Sequence, residues 1–248
     1  MKMTPEARPA EANPKFSYDE TGARYYRESE EKSIQYGSRK HYGGILKDVS
    51  ASFERQISVL DVGCGTGRYF HCLQNVERLL GLDLSQSMLD QAMNPVKKDE
   101  IRIGEISLSC ADIFEVSLPP GSYDLIFSIG VLGEDAPFDL PLCNKLYSLL
   151  APRGRLFITI ADIHSRFQRL HAISPILKRA FLGRTFSLYP PKIREKLNKK
   201  HDSFYMTKDE VARIFQQSEF SSFRLERYLH PPGSGWQGAH FDCWAAKE

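Results

Sequence analysis

The sequence predicts an α/β fold, a doubly wound, mostly parallel sheet of seven strands with helices on both faces. Three observations carry this. Apolar, β-branched runs alternate with helical stretches between residues 57 and 160. These runs are apolar nearly throughout, as strands buried on both faces are. Two further runs near the C-terminus alternate apolar and polar residues and are joined by a short Pro/Gly loop, which reads as an antiparallel pair closing the sheet. The 248 residues suffice for one domain with a sizeable core.

Residues 1–15 are polar and Pro/Ala-rich and are expected to be a flexible start to a single domain spanning 16–248. They lack the apolar stretch of a secretory signal, and no apolar run in the chain approaches the ~18 residues of a membrane span. The five cysteines (Cys64, Cys72, Cys110, Cys143 and Cys243) show no CxxC spacing. Reduced thiols, no metal site and a cytoplasmic location are expected. Residues 16–50 read as an N-terminal helical cap. Strands follow at 57–62 (ISVLDV), 78–84 (RLLGLDL), 106–112 (ISLSCAD), 123–132 (YDLIFSIGVL) and 154–160 (GRLFITI), with helices at 67–76, 86–93 and 138–150 between them. Thr207 and Glu210 form a capping box that opens a late helix. The last two strands are FSSFRLERYLH (220–230) and AHFDCWAAKE (239–248).

Between the fifth strand and the capping box lies a basic insert, 161–203. Arg166, Arg169, Lys178, Arg179, Arg184, Lys192, Arg194, Lys196, Lys199 and Lys200 face only Asp162 and Glu195 up to residue 201. Ser174-Pro175 and Pro191 mark two helix starts within it, and Phe167, Leu170, Ile173 and Leu177 can form an apolar face. Such an amphipathic basic segment suits an anionic ligand or peripheral contact with a membrane surface; a solvated helical face covering the sheet edge is the plain alternative.

The most informative segment is Val59-Leu60-Asp61-Val62-Gly63-Cys64-Gly65-Thr66-Gly67. A strand enters three glycines at alternate positions. Glycine allows left-handed backbone angles and close approach of a ligand to the chain. Asp83 closes the next strand, twenty positions after Gly63, where a carboxylate can accept from both hydroxyls of a ribose. A dinucleotide fingerprint would place its third glycine where Arg68 stands; here Gly67 comes one position early.

This turn and Asp83 resemble motif I and the following acidic residue of the class I S-adenosylmethionine-dependent methyltransferases, small-molecule type. The resemblance runs through Asp112-Ile113, Ser128-Ile129-Gly130 and LLAPRGRLFITI (149–160), where Arg153 stands in place of a glycine. It implies strand order 3-2-1-4-5-7-6 with an antiparallel last strand, and a helical lid formed by the insert. It also implies that S-adenosyl-L-methionine is the cofactor and that a methyl group passes to an N, O or C atom of a small acceptor by in-line displacement. Gly63, Gly65 and Gly67 would admit the methionine part, with Asp61 acting at one remove on its ammonium. Asp83 would hold the ribose, Asp112 the adenine amino group and Ile113 the ring. Leu84 and Met88 would pack on the adenine, Ser128 and Ile129 would lie beneath the methionine, and Cys64 would be a small residue, not a nucleophile. Tyr18-Asp19 with Tyr25 and Tyr26 resembles the start that caps the cofactor in many family members. Tyr26, Tyr36 and Tyr42 are candidates for the substrate cleft, helix packing being the alternative.

His164, just past strand five, and Glu134, after strand four, are the candidate bases. No Asn/Asp-Pro-Pro-Tyr/Phe tetrapeptide follows strand four, which points away from nucleic acid as a partner. Two other function classes stay open: an NAD(P)-type oxidoreductase, since Asp83 alone would suit that cofactor, and a methyltransferase-like binding module without catalysis. The acceptor and the oligomeric state are not legible.

Overall fold

The computed structural model describes residues 2–3, 18–164, 204–229 and 239–248. The greater part of the basic insert and the loop before the last strand lie outside the described residues, and with them the expected lid and membrane contact. One sheet organises the molecule. Its strands are β1 (Lys2–Met3), β2 (Ile57–Val62), β3 (Val76–Asp83), β4 (Ile103–Cys110), β5 (Tyr123–Ser128), β6 (Leu150–Ala161), β7 (Phe223–Leu229) and β8 (Ala239–Ala246). They lie in the order β1-β4-β3-β2-β5-β6-β8-β7, and β8 alone runs antiparallel to its neighbours. From β2 onward this is the expected seven-strand order with its antiparallel last strand. The N-terminus adds an eighth, two-residue strand, Lys2 and Met3 pairing with Ser107 and Leu108.

The described helices are α1 (Glu20–Ser33), α2 (Gly37–Ala51), α3 (Gln86–Ala92), α4 (Leu140–Leu149) and α5 (Lys208–Gln217). Local chemistry sets their starts. Asp19, Ser85 and Asp139 each accept from a first-turn amide of α1, α3 and α4, and Thr207 with Glu210 closes a reciprocal capping box on α5. Strand alternation then divides the core. Leu60, Val62, Ile126, Leu156 and Ile158 face α4 and α5. Val59, Leu79, Leu125, Phe127 and Phe157 face the other way, against Tyr42, Leu46 and Val49 of α2 and Leu89 of α3. Every residue of β5 is buried, which is why its sequence is apolar without alternation. None of the described helices is long and apolar enough to cross a membrane.

One expected element is absent. Residues 67–76 do not form a helix; a single 3-10 turn, Phe70–Cys72, is all that is there. Gly67 at φ +73° and Asn75 at φ +55° are left-handed, and Leu73 is extended, so the segment is broken at both ends. The amide groups after β2 therefore belong to a turn rather than to a helix N-terminus. The C-terminal strand of the central pair is also longer than expected, β6 starting at Leu150. It passes through Arg153 at φ +62°, a conformation a glycine adopts at less cost.

Candidate cofactor and acceptor site

The carboxyl ends of β2, β3, β4 and β5 form one rim, and the turn after β2 is its centre. The amides of Gly63 and Cys64 both donate to the Leu82 carbonyl at 2.8 Å, bending the chain sharply over β3. Gly63 holds φ +76°, and a Cβ there would stand 2.4 Å from a Val131 methyl. Gly63→Ala is thus expected to cost roughly 1–2 kcal/mol for the left-handed backbone and about 1–3 kcal/mol more for overpacking, read as a lowered denaturant midpoint at unchanged slope. A midpoint equal to that of the parent protein would show that the turn is not held in this conformation.

Asp83 braces the same turn. Its Oδ2 accepts from the Gly65 amide at 2.8 Å and its Oδ1 from the Ser85 amide at 2.9 Å. Each oxygen keeps a lone pair for a further donor. Burial raises its pKa, opposed by these backbone hydrogen bonds. Asp61 is 3% exposed and accepts no hydrogen bond among the described residues; burial first, then the Asp83 charge, holds its carboxyl well above the usual range, while Arg68 pulls it down. A cation placed beside it would relieve that penalty. Asp112 uses Oδ1 to accept from the Phe114 amide at 2.8 Å, a local turn that leaves its other oxygen toward the rim. Ser128 is fully buried and gives its hydroxyl to the Val62 carbonyl at 2.8 Å, tying β5 to β2 directly under the turn.

The remaining rim candidates divide. Leu84 is exposed, as an adenine contact requires. Met88 is buried, its terminal methyl 3.3 Å from where a Cβ on Gly65 would stand, so it supports the turn from below. Cys64 packs against Gly81 in the core, and burial pushes its thiol well up, so its side chain takes no part in the rim. Ile113 likewise packs in the core, leaving only its backbone for contact with a ring.

Behind Ile129 and Gly130 the rim meets a small, partly open cleft. It is lined by Ser38, Arg39, Tyr42, Arg68, Tyr69, Ile129, Gly130, Thr159 and His240. Thr159 accepts from the Gly130 amide at 2.9 Å. His240, only 4% exposed, places Nε2 3.3 Å from Oε2 of Glu134. Beside this pair Tyr18 donates to Asp135 at 2.8 Å and stands 5.9 Å, ring to ring, from Tyr26. The Tyr18 carbonyl also accepts from the Ser85 hydroxyl at 2.5 Å, so the cap is pinned to both sides of the rim. Burial, then the nearby Asp135 charge, raises the Tyr18 phenol, and burial raises that of Tyr26.

Residues 59–154 match the family described as a methyltransferase domain. The chain as a whole is similar to methyltransferases. It is 27% identical over 196 residues to the 18S rRNA (guanine-N(7))-methyltransferase of Bos taurus, covering 74% of this chain and 66% of the relative. It is also 27% identical to the mitochondrial ubiquinone biosynthesis O-methyltransferase of Saccharomyces cerevisiae, covering 76% and 56%. The chain thus spans under two thirds of either curated relative. Among solved structures, it resembles phosphoethanolamine N-methyltransferase 2 of Haemonchus contortus in complex with S-adenosyl-L-methionine, with a TM-score of 0.64 and 15% identity over 94% of this chain and 58% of that one. A second is a possible histamine N-methyltransferase of Thermotoga maritima, with a TM-score of 0.57 and 16% identity over 93% and 98%.

The residues present fit S-adenosylmethionine as a cofactor. Left-handed glycines border a gap beside Asp83, whose oxygens have capacity left, and the buried carboxylate of Asp61 lacks a cation. Two candidates for the acceptor side do not line the cleft. His164 is exposed, and Asp162 accepts from its amide at 2.8 Å and from Arg227 at 2.7 Å. Tyr36 is 68% exposed at the start of α2, away from the lining residues, because it caps a helix whose buried face begins at Ser38. Glu134, Tyr26 and Tyr42 do reach the cleft region. Tyr42 is nearly buried, though, with its hydroxyl 3.3 Å from Asp242, so it belongs as much to packing as to the site. His240 is not among the site residues expected from the sequence. It shares strand parity with Asp242, and both point to the face covered by His41 and Tyr42 of α2. Two polar residues at i and i+2 on an otherwise apolar strand were the available signal.

Proposed function

We propose that this chain transfers the methyl group of S-adenosylmethionine to a nucleophilic N, O or C atom of a small acceptor held in the cleft. One observation supports this most: Ser128 and Val131 touch the glycine turn and its strand, and Ile129 and Gly130 between them line the cleft, so a group on the rim and one in the cleft are neighbours. When bound, the cofactor supplies a methyl carbon activated by sulfonium. Asp83 accepts from the ribose hydroxyls and Asp61 balances the ammonium. Asp112 orients the adenine end. The cleft walls hold the acceptor in line, and such positioning alone can lower a barrier by up to about 7–11 kcal/mol. His240, backed by Glu134, takes the proton of a protic acceptor. One relative bears the name of an rRNA methyltransferase, so RNA is the acceptor to set against a small molecule.

The first test is calorimetric. Wild-type protein is expected to bind S-adenosylmethionine and its demethylated product. Asp83→Ala removes a charged acceptor and the brace on Gly65, so the Kd should rise about ten- to a hundredfold, since hydrogen bonds to charged groups contribute about 1.5–3 kcal/mol. An unchanged Kd would remove Asp83 from the ribose site. Incubating the protein with labelled cofactor and a panel of small acceptors, total RNA included, tests the acceptor class; label transferred to RNA alone would reject the small-molecule reading.

A further inference from the structure

Thr159 of β6 is 1% exposed and forms part of the cleft wall. Its oxygen accepts from the Gly130 amide at 2.9 Å. A threonine hydroxyl also carries a proton to give, and among the described residues that proton has no acceptor. Asp242, directly opposite Thr159 across the β6–β8 pair, turns its two oxygens to the Tyr42 hydroxyl and to His41, each at 3.3 Å. A buried hydroxyl beside a cleft with its donor unused is half of a hydrogen bond, and a ligand can bring the other half.

Strand register sets this donor beside His240. Thr159 stands opposite Asp242, and Ala161 opposite His240. Residues opposite one another share a face, so Thr159 and His240 are diagonal neighbours, roughly 7–8 Å apart at the backbone and less between side chains. One oxygen atom with a hydrogen bond of about 2.7–3 Å to each side spans such an interval. The two groups then select the acceptor. Attack on the methyl carbon uses one lone pair, and accepting from Thr159 uses another. A hydroxyl oxygen has two lone pairs and one proton. An amine nitrogen has a single lone pair, so a hydrogen bond from Thr159 would occupy the pair that attacks. A carbon nucleophile has no lone pair to spare for Thr159.

We propose that the acceptor's nucleophile is a hydroxyl oxygen, held between Thr159, which donates to it, and His240, which takes its proton. This rests on the proposed function and narrows it to O-methylation. The new bond joins that oxygen to the methyl carbon as the bond from carbon to the sulfonium sulfur breaks. The bonding pair stays on sulfur, which leaves as a neutral thioether, and the hydroxyl proton passes to the imidazole. Thr159 thereby determines which kind of atom is methylated.

The wild-type protein is incubated with methyl-labelled S-adenosylmethionine and a small-molecule extract of cells, and carbon NMR of the transferred methyl identifies the atom it joins. Methyl on oxygen is expected. Methyl on nitrogen or carbon overturns the proposal and leaves the proposed function standing, whereas no transfer to any component fails both. Thr159→Val and Thr159→Ser are then compared on the methylated acceptor and on its thiol counterpart. Sulfur accepts hydrogen bonds weakly. The valine variant should therefore lose about tenfold in kcat/KM on the hydroxyl acceptor and under about threefold on the thiol, with the S-adenosylmethionine Kd unchanged. Serine keeps the hydroxyl and should restore most of the rate. An equal loss on both acceptors means that Thr159 acts only through Gly130, and it overturns the donor role. So does an unchanged rate on the hydroxyl acceptor, or a weakened Kd for S-adenosylmethionine. The labelling experiment needs no variant, so it decides the matter even if the valine protein does not fold.

Discussion

Replacing Glu30 by alanine is expected to destabilise the protein by about 3–5 kcal/mol, the usual consequence of removing one partner from a buried ion pair. Glu30 lies on α1 and is wholly buried, and its two oxygens accept from Thr66 Oγ1 at 2.5 Å and Arg68 Nε at 2.6 Å. Both donors belong to the turn that carries the three glycines. Burial alone would lower the pKa of the Arg68 guanidinium; the Glu30 charge and hydrogen bond reverse this and raise it. Without Glu30 the Arg68 guanidinium would lose its ion-pair partner in a poorly solvated region that also holds Arg39. Urea denaturation measures the loss. Glu30→Gln keeps acceptors for one donor and should lose less, and a Glu30→Leu/Arg68→Met double variant should recover most of the stability because neither charge is then stranded. Since Glu30 ties α1 to the turn, the alanine variant should also bind S-adenosylmethionine more weakly. A change in stability within about 0.5 kcal/mol, the range of ordinary surface substitutions, would mean that this pair is solvated in solution.

Glu30 also shows where sequence reading stops. Positions coded by short-range physics were legible: the glycines of 63–67, the carboxylate at the end of β3, the capping box of α5 and the apolar runs of β2 and β5. Each depends on neighbours within a few residues or on strand periodicity. The strand order followed from the resemblance those motifs carried. Glu30, Asp135 and His240 acquire their roles from partners 36, 117 or 106 positions away. In the sequence they are one more charged residue on a helix or strand. The expected helix at 67–76 failed for the opposite reason. Its composition is compatible with helix, but closing the turn requires Gly67 in the left-handed region, and Asn75 must also turn so that β3 can start at Val76. His164 was placed by its distance past β6, and it stands exposed after a turn in which Asp162 accepts from its amide. Sequence distance from a strand end says which side of the sheet a residue is on, but not which way a loop side chain faces.

The other large effect is expected at His240. Converting it to glutamine should lower kcat on a protic acceptor by about 10²–10⁴-fold, the range of general base catalysis, with the cofactor Kd unchanged. His240 stands in β8 opposite Ala161, one wall of the cleft, and Glu134 approaches its Nε2 at 3.3 Å. As the acceptor's proton moves to the imidazole, the imidazolium that forms faces a carboxylate, which stabilises it where water is scarce. Glu134→Gln should therefore produce a smaller loss of kcat, because the proton acceptor remains and only its stabilising charge is gone. A purely structural His240 would predict something different: reduced stability and a raised KM at every pH alike. The pH profile separates the two. A rising acid limb of kcat/KM present in wild type should vanish in the glutamine variant, whose residual rate should climb at high pH as the acceptor ionises in bulk solvent. If the variant retains the parent's pH limb, the proton leaves by another route and methyl transfer here rests on alignment alone.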